Sequence, residues 1–295
     1  LELGGRLEPE GAPASVLAAL GERPELALTL RPEGPERLRL ERLRLSTPAL
    51  SAEGAGTLDL AGRTLEGRLS AEAADLARLA GLAGTPLAGR LRLSAEASGA
   101  LDTPDAKLTL EGDGLRAAGF ATDALRLSLA GRPLETEPGA LLLYLEGRAE
   151  AATFAGRPIG EERLVRIEGE AVHRPDAPLR IAGLDLTLAG LETRAAGELE
   201  LRTLTGELRF EARTADPRGL APLLGAGVPL PGGRILLGAD LRLAGLDSIE
   251  AKLTLGADEL AGLPPGVGEL LGERASGIAT LAFHDRRRLA LDGLD

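Results

Sequence analysis

Leucine alternates with polar or small residues along much of this chain, as in Arg37-Leu38-Arg39-Leu40 and Asp123-Ala124-Leu125-Arg126-Leu127-Ser128-Leu129. A period of two puts every leucine on one side of an extended chain and the polar residues on the other, which a helix of 3.6 residues per turn cannot do. The pattern returns at Gly197-Glu198-Leu199-Glu200-Leu201, Asp240-Leu241-Arg242-Leu243 and Lys252-Leu253-Thr254-Leu255, with glycine, proline and aspartate between the stretches. The expected class is therefore all-β: a meander of short antiparallel strands with one apolar face. That face is expected to carry Leu38, Leu40, Leu43, Leu45, Leu58, Leu60, Leu91, Leu93, Leu108, Leu110, Leu125, Leu127 and Leu129. Farther along it is expected to carry Leu199, Leu201, Leu241, Leu243, Leu253 and Leu255.

The alternation slips once, where Glu41 and Arg42 are both polar before Leu43 and Leu45 resume the phase. A β-bulge there keeps all these leucines on one face. Short helical interruptions are expected at Ala74 to Leu82, where Leu76, Leu79 and Leu82 have helical spacing, at Gly219 to Leu224, and at Pro13 to Leu20. The chain also repeats itself. Leu43, Leu45, Leu50, Gly56, Leu58, Leu60, Asp75 and Leu79 match Leu184, Leu186, Leu191, Gly197, Leu199, Leu201, Asp216 and Leu220 at a constant offset, and AKLTL occurs at Ala106 to Leu110 and again at Ala251 to Leu255. Leu101-Asp102 likewise matches Leu246-Asp247. The expected organisation is one extended β segment over 1–295 with internal copies at about 43–110 and 184–255. A unit of about 140 residues exceeds a solenoid coil, so each copy is expected to hold several strands and a helical break.

Composition narrows the function. A net charge of −11 repels phosphate backbones, so nucleic acid is not an expected partner. With Cys 0 there is neither a disulfide framework nor a thiolate nucleophile. Met 0 and the direct opening on Leu1-Glu2-Leu3 read as a segment of a larger protein, and no apolar run approaches the roughly 18 to 20 residues of a membrane span. Asn and Gln do not occur, a depletion that a thermophile or a strong genomic bias would produce. His173 and His284 have no second ligand at metal spacing, and the acidic residues alternate with leucine or fill turns, as on a solvated face. Gly84 to Arg90 has the outer glycines of a phosphate loop, but Arg90-Leu91 stands where Lys and Ser or Thr are needed, so these glycines, like those of Gly225 to Gly233, are read as turn residues. Arg286-Arg287-Arg288 is a compact basic run, read as a solvated turn in preference to a head-group contact. No nucleophile and base pair up, so the chain is expected to be non-enzymatic and to need neither cofactor nor metal. The leucine face remains, either a closed core or, being poor in aromatics with Phe 4 and Trp 0, a smooth adaptable lining.

The Gly-x-Leu-x-Leu strand at Gly56, the stretch GRLSAEAADLARLAGL, the turn Thr85-Pro86-Leu87-Ala88-Gly89 and the RLRLSAEASGALDTP that follows resemble the repetitive middle of the TamB/AsmA-like family, as does the second copy from Gly197 to Asp247. The resemblance implies a long sheet curled lengthwise into an open apolar groove, the β-taco. It further implies a parent protein in the cell envelope, anchored in the inner membrane and spanning the periplasm toward the outer membrane. There it would serve as a bridge-like conduit for phospholipid acyl chains, with a role in outer-membrane protein assembly through a barrel partner. Roughly twenty strands at about 4.8 Å would make about 95 Å of such a track. The rival expectation is a structural β-solenoid, scaffold or adhesin stalk with a closed leucine core.

Small-angle scattering checks the expected elongation: the radius of gyration should clearly exceed the roughly 19 Å of a compact chain of this length.

Overall fold

Both faces of an alternating strand can be satisfied only if neighbouring strands align their leucines, and in-register antiparallel pairing does this throughout the computed structural model. It describes residues 2–6, 24–159, 164–220, 230, 232–245, 248–262, 274–284 and 288–294. The chain forms two compact units, Leu1–Leu141 with Gly147–Gly156 and Leu142–Glu146 with Arg157–Asp295. In chain order the first half supplies β1 (Glu2–Arg6), β2 (Glu25–Pro32), β3 (Arg37–Ser46), β4 (Ser51–Asp59), β5 (Thr64–Ala73), β6 (Leu87–Ala100), β7 (Pro104–Ala117) and β8 (Phe120–Pro133). Next come β9 (Leu141–Glu150), β10 (Thr153–Phe154) and β11 (Arg157–Pro158). The second half supplies β12 (Val165–His173), β13 (Leu179–Leu188), β14 (Leu191–Glu200), β15 (Thr205–Thr214), β16 (Gly232–Ala244), β17 (Ser248–Ala261), β18 (Arg274–His284) and β19 (Arg288–Leu294).

In the first unit β1 to β8 pair in sequence order, each antiparallel to the next, and β10 pairs β8. In the second, β12 to β19 do the same. The architecture is all-β and antiparallel, and the sheet is not closed. Several strands are longer than the short ones expected: β6, β7, β8 and β17 each run 14 residues. The alanine, serine and glycine that follow the leucines in β6 continue the ladder, paired with β5 on one side and β7 on the other.

The bulge expected near Glu41 is present, since Leu40 faces Gly56 whereas Leu43 faces Gly54. The second unit carries it at the matching place, with Ile181 against Gly197 and Leu184 against Ala195. The helical breaks also match. Asp75 accepts a hydrogen bond from the Ala77 N–H at 3.0 Å and caps a 3₁₀ turn over Leu76–Leu79, which runs into one α-helical turn over Ala80–Ala83. Asp216 accepts from the Arg218 N–H at 3.1 Å above a 3₁₀ turn over Pro217–Leu220. Its hydrogen bonds to the Arg218 guanidinium hold the Asp216 carboxyl below its usual range. The break expected over Gly219 to Leu224 thus starts at Pro217, and 221–224 lie outside the described residues, as do Pro13 to Leu20, Leu246-Asp247 and Arg286-Arg287. The hairpin loops after β4 and β14 both contain a non-glycine residue at positive φ, Arg63 at 48° and Leu204 at 54°.

A second bulge recurs in the strands after the helical breaks. Gly89 (φ 106°) and Gly233 (φ 118°) each sit where an added Cβ would lie 2.6 and 2.7 Å from two carbonyl oxygens of the next strand, those of Gly114 and Asp113 or of Glu259 and Asp258. The facing residue is left-handed in both copies, Gly114 at 59° and Glu259 at 58°. Gly84, the other glycine of the phosphate-loop-like stretch, ends the helical turn at φ 66°, so these glycines serve backbone geometry.

Substituting Gly89→Ala should destabilise the protein by about 3 kcal/mol, because strain and backbone overlap act together. Gly114→Ala, where a Cβ meets nothing within 4 Å, should cost only about 1 kcal/mol of left-handed strain. Denaturant melts of the two variants measure the difference.

Candidate functional site

Cross-strand register brings the expected leucines together on one face within each unit. In the first, Leu38 faces Leu58, Leu93 faces Leu110, Leu110 faces Leu127 and Leu108 faces Leu129, while Leu91 and Leu125 meet Gly112 from either side. Leu40, Leu43 and Leu45 face Leu30, Leu28 and Leu26 of β2. In the second unit Leu199 faces Leu179, Leu241 faces Leu208 and Ala251, and Leu243 faces Ile249; Leu253 and Leu255 lie against Ala239 and Leu237. The two AKLTL strands therefore present their leucines to the same face of their own copy. Leucine is opposed often by alanine or glycine, so the face has relief on the scale of a few methyl groups.

Two residues assigned to that face from sequence are not on its strands. Leu60 and Leu201 are 56 % and 50 % exposed and fall in the hairpin loops beyond the ends of β4 and β14. Alternation alone cannot mark a strand end when the first loop residue is itself leucine. Leu38, Leu129 and Leu255 are on the strands but exposed, and the other fourteen are half-buried. Among the described residues no leucine is buried: the buried apolar residues are alanines such as Ala73, Ala195 and Ala257, with Ile159 and Pro24. Within each unit the strand contacts run chiefly between sequence neighbours. Full burial of a leucine is stabilising by about 1.5–3 kcal/mol relative to exposure, and a half-buried leucine gains only part of that.

The opposite face is charged. Arg209 donates to Asp240 at 2.9 Å, Arg242 to Glu207 at 2.9 Å and Arg213 to Glu192 at 2.6 Å, each pair in direct register between adjacent strands. The guanidinium of Arg242 is held above its usual range first by its hydrogen bond to Glu207, then by the charges of Glu207 and Glu250; Asp240 acts likewise on Arg209. These pairs are solvated, so each adds little stability. Depressions of about 870 Å³ in the first unit and about 690 Å³ in the second lie over this face, floored by Ala55 and Gly56 or by Ala196 and Gly197 between long charged side chains. Of the two histidines, His173 ends β12 with its Nδ1 buried and unpartnered, and His284 ends β18.

No family model, curated protein or solved structure matches the chain.

Truncating a face that has no cover should cost little. Leu110→Ala is expected to lower stability by about 1 kcal/mol, well short of the 2–5 kcal/mol of a sealed core, as read by denaturant unfolding.

Proposed function

We propose that the leucine face is a binding track for lipid acyl chains, part of a bridge-like phospholipid conduit in the cell envelope. The observation that supports this reading is the incomplete burial of the face: leucines aligned strand after strand, half-buried or exposed, and none of them buried among the described residues. Soluble chains keep contiguous apolar patches small unless they bind something. Moving one sixteen-carbon chain into water costs roughly 12 kcal/mol, and a continuous apolar surface removes that barrier without catalysis. In this proposal the sheet curls lengthwise toward its leucine side as a β-taco, holding acyl chains inside with the charged face in solvent. Passage between inner and outer membranes, with anchoring and barrel-partner contacts made by the parent protein, belongs to the same proposal and rests on the family resemblance. A scaffold with a closed leucine core is less well supported, because such a core seals its leucines.

Leu127→Arg separates the two readings. On an open face the long side chain can carry its guanidinium to water, so the melting temperature should barely change while acyl-chain transfer by the full-length parent is lost. In a closed core the same residue would be buried unpaired and the fold would fail. Normal transfer by a stable variant would overturn the track. Native mass spectrometry of the wild-type chain should find co-purified phospholipid.

A further inference from the structure

We draw no further inference here: the strongest candidate, the row of small residues Gly56, Gly67, Ala97, Ala106 and Gly131 that crosses the leucine face in register from β4 to β8, belongs to the face already described, and nothing in the structure shows what covers it.

Discussion

Everything in this molecule hangs on the in-register antiparallel ladder. In a two-layer domain, side chains from the facing layer hold the sheet together and backbone pairing is one contribution among several. Here the contacts within each unit run chiefly between paired strands and no leucine is buried among the described residues, so the ladder and the contacts made directly across it contribute most to the fold. That explains why the backbone devices are so regular: the bulges at Leu40/Leu43 and Ile181/Leu184, the tight glycines Gly89 and Gly233, and the Asp75 and Asp216 caps all recur in register. A slip of one residue would exchange the leucine and charged faces, and each device pins the register against it.

The strand class was legible because alternation is periodic and local. Even the bulge at Glu41 could be read, since two adjacent polar residues between leucine pairs leave few other ways to keep the phase. Strand length was not legible. The Ala-Ser-Gly end of β6 has weak propensity, and only pairing along β5 and β7 keeps it extended. Leu60 and Leu201 failed as face residues for a related reason, because a loop can open on the residue type that lines the strand.

Exposure of the leucine face was beyond the sequence altogether. A sealed face and a half-buried face give the same alternating pattern, and only the structure shows that no leucine is buried among the described residues. The charged face was read from sequence as merely solvated. Across the internal repeat its charges are kept at some positions, as at Lys107 and Lys252 or Arg39 and Arg180, and exchanged at others, as at Arg44 and Asp185, so the repeat fixes the polarity of that face only in part.

A sheet with one leucine face and one charged face also places the two in physical opposition. A leucine face that is only half-buried favours association with any apolar surface, including the same face of another copy, since every methylene removed from water is stabilising. The net charge of −11 works against that, because two copies approaching leucine to leucine bring like fields together while ligands without net negative charge meet no such barrier. Cross-strand pairing of arginine with carboxylate neutralises charge locally within the ladder yet leaves the acidic excess intact. Charge therefore acts chiefly between copies, at long range, while the backbone ladder and not the solvated pairs holds neighbouring strands together.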